Sequence, residues 1–225
     1  MPLIYPLAAA FGLVLGQYLI WFYAPVEQTM GLIQKIFYLH LPLAWWSLAS
    51  FFTVFIASVL YLLRGKPAHD RLAQAACEIG VALATLALIT GSLWARPIWN
   101  TWWTWDPKLT TTLVMWFIYM SYLLLRSAGL GGAGNGARVS AVLGVVAFLD
   151  VPLVFFAARK WRSIHPTVFG NASGGLEPEM LTTALVCVAA FGFFWLALLV
   201  QRTRQLRLAA RLDALARKPQ KNKDS

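Results

Sequence analysis

The sequence predicts an all-α, polytopic membrane protein with six transmembrane helices and both termini on the cytoplasmic side. Three observations predict it. Of the 225 residues, 59% are hydrophobic and only 12% are charged, against roughly half and a quarter in soluble domains. The apolar residues gather in six long runs, at about 3–24, 37–63, 75–95, 109–125, 139–158 and 180–201. The positive residues fall unequally on the two sides that those runs would separate.

Each run is the right length for a helix. A hydrocarbon core about 30 Å thick takes about 20 apolar residues in helical form. Barrel strands are segments of about ten residues with alternating polarity, and these runs are longer and continuously apolar. A helix also pairs its own backbone polar groups, as lipid requires. Together the six runs make one domain, 1–201, followed by a basic tail, 202–225. No Lys or Arg precedes Lys35, so the first run lacks the positive start of a cleavable signal and is expected to stay as a span. Gly12 and Gly16 give it a small-residue face for close helix packing. Residues 129–136 are glycine-rich and read as a turn. Cys77 and Cys187 lie in the third and sixth runs, where neither a disulfide framework nor a zinc site is expected.

Orientation follows from charge. With six spans, one side holds the connections 64–74 and 126–138 and the tail, which together carry thirteen Lys and Arg. The other side holds six: Lys35, Arg96, Lys108, Arg159, Lys160 and Arg162. Lys and Arg accumulate on the cytoplasmic side, so both termini are placed inside and the loop 96–108 outside. The net charge of +10 does not argue for nucleic acid, because eight of the positives sit in the tail. There they suit a solvated helix beside anionic lipid heads.

The outer loop carries the unusual chemistry. Within 94–108, tryptophans stand at 94, 99, 102, 103 and 105. An aromatic belt at the membrane interface accounts for Trp94 but not for four tryptophans in seven residues. On a short interfacial helix, Trp99, Trp102, Trp103 and Asp106 would share a face. That face is an aromatic platform beside a carboxylate, suited to a large planar ligand.

Histidine is the second signal, and the chain has only three. His40 lies about one turn inside the outer end of the second run. An ionisable residue at that depth is either functional or hydrogen-bonded to a neighbouring helix, and His40 alone leaves both open. His165 lies in the last outer connection, whereas His69 lies in an inner one and is read as solvated. Two histidines therefore share the face of the Trp loop, and neutral imidazole is an axial ligand of haem iron. Arg96 and Lys108 flank the loop, and Arg159, Lys160 and Arg162 precede His165. Such cations suit propionates, although snorkelling at span ends also explains some of them. Asp150, two residues before Pro152, is read as a carboxylate satisfied inside the bundle at a kink. Glu78 is read as interfacial.

Residues 91–110, Gly-Ser-Leu-Trp-Ala-Arg-Pro-Ile-Trp-Asn-Thr-Trp-Trp-Thr-Trp-Asp-Pro-Lys-Leu-Thr, resemble the tryptophan-rich WWD motif of haem-handling proteins. With six spans, Tyr38-x-His40-x-Pro42 and a second outer histidine, the whole chain resembles the CcmC family of bacterial cytochrome c maturation. The resemblance implies His40 and His165 as axial haem ligands. It implies Trp99, Trp102, Trp103, Trp105 and Asp106 as the haem-presenting platform. From their placement, Trp94, Arg96, Lys108 and Arg162 are expected as further haem contacts. Asn100 stands where the family usually has Gly, and Lys108 where it usually has Arg.

The implied function is to bind haem at the periplasmic face of the inner membrane and load it onto a periplasmic haem chaperone (CcmE). The implied companions are an ATPase subunit (CcmA), a second membrane subunit (CcmB) and a small single-span subunit (CcmD) of an ABC-type complex. The chain has no Gly-x-x-x-x-Gly-Lys-Ser/Thr loop, so ATP is expected to be used by a partner. It has no Cys-x-x-Cys-His either, so haem is expected as a b-type, non-covalent substrate. The expected role is transfer rather than catalysis. Two alternatives remain within haem chemistry. The haem-presenting part of a cytochrome c haem lyase would be larger and richer in histidine. A haem b electron carrier needs histidine pairs near mid-bilayer.

Overall fold

The computed structural model describes residues 3–129, 135–161, 165 and 176–221. Its described residues form seven α-helices and no strand: α1 Ile4–Tyr18, α2 Phe37–Arg64, α3 Pro67–Trp99, α4 Pro107–Ser127, α5 Asn135–Ala147, α6 Asp150–Lys160 and α7 Pro178–Lys221. They make six helical segments long and apolar enough to cross a membrane, with α5 and α6 forming one of them. The six-span architecture read from hydropathy is thus the architecture of the protein.

The helix ends follow local chemistry. Gly65 closes α2 with φ of 63°, and its N–H bonds the Tyr61 carbonyl at 2.8 Å. Glycine adopts this left-handed conformation without a Cβ penalty. Pro67 then opens α3, where its missing N–H costs nothing. The connection expected at 64–74 is therefore only Gly65 and Lys66, and α3 runs 33 residues. Residues 96–99, expected in the outer loop, are its last turn.

The fifth span is broken. Phe148 and Leu149 form a turn, and Val151 N bonds the Phe148 carbonyl at 3.1 Å. Pro152 then sits in the first turn of α6, the place in a helix that tolerates it. The kink expected near Asp150 is present. Asp150 is 9% exposed, but its Oδ2 has no hydrogen-bond partner among the described residues, contrary to the reading of a satisfied carboxylate.

The core lies between α2, α3 and α4. Phe51 of α2 stacks on Tyr119 of α4 at 3.8 Å. Trp46 and Trp195 stack at 5.0 Å between α2 and α7, and each indole N–H is satisfied: Trp46 by the Val188 carbonyl at 2.8 Å, Trp195 by Ser50 Oγ at 2.7 Å. Small residues bring α1 onto α7. A Cβ on Gly12 would stand 2.9 Å from Ala190 Cβ, and one on Gly16 3.3 Å from Cys187 Sγ. Both cysteines are free and buried.

One end of the bundle is held by an ionic network. Arg126 of α4 donates to both Asp70 oxygens, at 2.6 and 2.9 Å, and to Gln74 Oε1 at 3.0 Å. Gln74 donates to Glu78 at 3.0 Å, and Glu78 accepts from Arg202 of α7. Glu78, read as interfacial, is thus a tie between helices. His69, read as solvated, is half-buried, and its Nδ1 lacks a partner among the described residues. The described part of the basic tail, up to Lys221, is helical. It continues α7, whose 44 residues extend about 66 Å at 1.5 Å per residue, twice a bilayer core.

Candidate functional site

The opposite end of the bundle gathers the residues singled out in the sequence. There the turn Ala24–Gly31 brings the chain back to α2. Glu27 Oε2 accepts from the backbone of Thr29, at 2.8 Å, and of Met30. Lys35 donates to the Ile20 carbonyl at 2.6 Å, tying the start of the second span to the end of the first.

His40 sits one turn into α2, half-buried. The last turns of α3 face it. Trp94 packs edge-on to its ring, with centroids 6.0 Å apart, and Thr90 Oγ1 lies 3.0 Å from its Nδ1. A Cβ on Gly91 would approach His40 Cε1 to 3.0 Å, so glycine there lets the imidazole lie close against α3. His165, 125 residues along the chain, comes to the same place. Its ring centroid is 6.3 Å from that of His40, with 40° between the planes. Lys108 Nζ lies 3.2 Å from His165 Nδ1. His40, His165, Trp94 and Lys108 thus form one connected cluster drawn from α2, α3, α4 and the last connection.

The tryptophan loop is built differently from the expected short helix. Asn100 ends α3 with φ of 52° and ψ of 27°. Asparagine is, with glycine, the residue that most readily takes this left-handed cap, so Asn100 serves where glycine is usual. Its side chain also accepts from Arg96 at 2.6 Å. Residues 101–106 are not helical. Asp106 is the N-cap of α4, accepting from Lys108 N at 2.9 Å, and Pro107 follows at the first helical position. Side-chain capping satisfies an otherwise orphaned helix donor. Trp99, Trp102, Trp103 and Asp106 therefore do not share a helix face, because the cap at Asn100 and the new start at Asp106 interrupt it.

The tryptophans divide by exposure. Trp94 is 8% exposed, whereas Trp102 and Trp105 are 55% and 76% exposed. Trp99 and Trp103 are half-buried. Arg96 lies 5.9 Å over the Trp102 ring, a cation–π contact, and Trp103 meets Trp105 edge-on at 5.9 Å. An open apolar groove lined by Leu88, Ile89, Ser92 and Leu93 runs beside Trp102. Buried side-chain donors here lack partners among the described residues: Trp94 Nε1, Trp103 Nε1, Thr104 Oγ1 and Thr110 Oγ1. Such orphans are rare in native proteins and call for an explanation such as a ligand. Arg162 lies outside the described residues, as do the side-chain positions of Arg159.

Thr90 and Gly91 were not singled out in the sequence. A polar residue in an apolar run, one turn before Trp94, was the available signal for Thr90.

The family model described as "Heme exporter protein C" matches residues 1–218. Curated relatives agree. Heme exporter protein C of Bradyrhizobium diazoefficiens is 34% identical over 194 residues, covering 85% of this chain and 73% of the relative. That of Haemophilus influenzae is 32% identical over 212 residues, covering 90% and 85%. A putative cytochrome c biosynthesis ccmC-like mitochondrial protein of Marchantia polymorpha is 29% identical over 193 residues, covering 85% and 82%.

Proposed function

The chain belongs to the heme exporter protein C family, and on that premise we propose that it binds haem at the periplasmic face of the bacterial inner membrane and delivers it to the chaperone CcmE. A role in haem handling for cytochrome c maturation, as a multi-pass transport subunit with haem as its substrate, comes with the family. The finer steps are our reading. His40 and His165 supply the two axial ligands of a b-type, non-covalently held haem. Trp99, Trp102, Trp103 and Trp105 present the porphyrin, and Arg96, Lys108 and Arg162 receive its propionates. Asp106 acts by holding Lys108 at the head of α4. ATP is hydrolysed by CcmA, and CcmB and CcmD complete the ABC-type complex.

One observation carries the reading: two of the three histidines, far apart in sequence, stand 6.3 Å apart. Metal–imidazole nitrogen bonds are about 2.0–2.1 Å in zinc sites; for two rings flanking one ion at such distances, centroids roughly 6 Å apart are expected. The indole donors of Trp94 and Trp103, without partners among the described residues, add donors of the kind carboxylates accept. Thirteen positive residues against six support a periplasmic site and cytoplasmic termini.

The test is the optical spectrum of the purified protein, oxidised and reduced, beside His40→Ala and His165→Ala. The wild type is expected to show a six-coordinate low-spin haem, and each variant to lose it. An unchanged spectrum in either variant removes that residue from the ligand set.

A further inference from the structure

We infer that Thr90 is a positioning residue that holds His40 in the tautomer with its proton on Nδ1, leaving the Nε2 lone pair for the iron. The inference rests on the reading of His40 as a haem ligand and deepens it.

The argument is a count of protons. Thr90 Oγ1 has three near neighbours: the Leu86 carbonyl at 2.8 Å, the Ala87 carbonyl at 3.1 Å and His40 Nδ1 at 3.0 Å. A hydroxyl has one proton and two lone pairs, and a carbonyl oxygen can only accept. The single hydroxyl proton therefore goes to the carbonyls of its own helix. Toward His40 the oxygen has only a lone pair to offer, so the proton of that contact belongs to the imidazole. A neutral imidazole with its proton on Nδ1 has an unprotonated Nε2.

Orientation is set by the same turn of α3. Gly91 admits the ring to a distance at which a Cβ would stand 3.0 Å from Cε1 and 3.9 Å from Nε2. Trp94, about one turn further along α3, packs edge-on to the ring at 6.0 Å. Thr90, Gly91 and Trp94 thus supply hydrogen bond, clearance and ring contact from one short stretch of helix. Ligating histidines commonly give their second N–H to such a partner, which fixes the tautomer and raises the basicity of the ligand nitrogen. Here the partner is itself anchored by two backbone carbonyls, so binding haem at this ligand needs neither a proton shift nor a ring flip.

The first measurement does not involve haem. In haem-free protein labelled with 15N-histidine, the His40 ring is expected to show a protonated Nδ1 and an unprotonated Nε2. The reverse pattern overturns the inference and leaves the haem reading untouched. The second compares haemin titrations and midpoint potentials of wild type, Thr90→Val and Thr90→Ser. Loss of an outer-shell partner typically weakens metal affinity about 10–100-fold, and a loss of this size is expected for Thr90→Val. The potential is expected to shift with it, and Thr90→Ser is expected to restore both. Equal behaviour of Thr90→Val and wild type overturns the inference, and so does a Thr90→Ser variant as impaired as Thr90→Val. If His40→Ala keeps the wild-type spectrum, the underlying ligand reading fails instead.

Discussion

The Lys108 ammonium lies 3.2 Å from Nδ1 of His165. The contact ties the head of α4 to the last connection of the chain. Asp106, one turn-start earlier, accepts from the Lys108 backbone and so fixes where that lysine begins.

Lys108 is expected to select for free carboxylates on the haem edge. Lys108→Met should weaken binding of ordinary haemin by up to about tenfold, less than a fully buried charged hydrogen bond would give because the site is half open. Lys108→Arg should bind at least as well as wild type. Titration with haemin and with its dimethyl ester decides the matter: equal losses for both forms in Lys108→Met would exclude a propionate contact.

The exposed tryptophans are expected to govern transfer, and the buried cluster retention. Trp102 and Trp105 are largely exposed, whereas Trp94 is 8% exposed beside His40. The double variant Trp102→Ala/Trp105→Ala should keep most of its haem yet load the chaperone poorly. Stacking of bases on aromatic side chains, a related contact, is worth about 1–3 kcal/mol per ring, enough to slow a docking step tenfold or more. Haem content and chaperone loading are measured side by side; normal loading per bound haem would refute the division.

Two glycines of α3 should respond differently to the same change. The atoms nearest a Cβ on Gly91 are those of His40, from 3.0 Å, whereas one on Gly80 meets Phe51 and Ser50 at 2.8 Å. Gly91→Ala is expected to lower haem content while helix content and melting stay near wild type. Gly80→Ala is expected to destabilise the bundle by about 1–3 kcal/mol through overpacking. Thermal melts by circular dichroism, read beside haem content, check both; similar melting of the two variants would contradict the assignment.

Breaking the ion pair at the other end should cost stability without touching the site. Arg126 and Asp70 side chains are 10% and 16% exposed. Arg126→Met leaves a nearly buried carboxylate unpaired, a loss on the order of 3 kcal/mol. The double variant Arg126→Met/Asp70→Leu should recover most of it, since a matched apolar pair is often neutral. A double variant as unstable as the single one would show that the network does more than compensate charge.

The orientation can be checked directly. A reporter active only in the cytoplasm should be silent when inserted between Thr101 and Thr104 and active when fused after residue 221. The reverse result would move the candidate site to the cytoplasmic face.

Much of the site was legible because its residue types are costly in lipid. His40 stood out as an ionisable group in an apolar run, and the tryptophans as more aromatic surface than an interface needs. The shape of the loop was not legible. Trp99, Trp102, Trp103 and Asp106 have helical spacing, yet Asn100 turns left-handed and Asp106 caps a new helix. A cap and a platform residue can be the same amino acid, and spacing does not distinguish them. The partners of Glu78 were not legible either: hydropathy locates the membrane boundary but not the neighbouring helix that supplies Arg202 to it.

By itself the sequence determined the six spans, because burial of about 20 apolar residues in lipid is a local and additive property of each run. It placed the helix boundaries less well: the connection expected at 64–74 shrinks to Gly65 and Lys66, and α3 begins at Pro67. Only the tertiary structure decided that His40 meets Thr90, 50 residues away, and stands beside His165. Those contacts depend on how α2, α3 and the last connection pack, and packing is a relation between elements that no single run of residues contains.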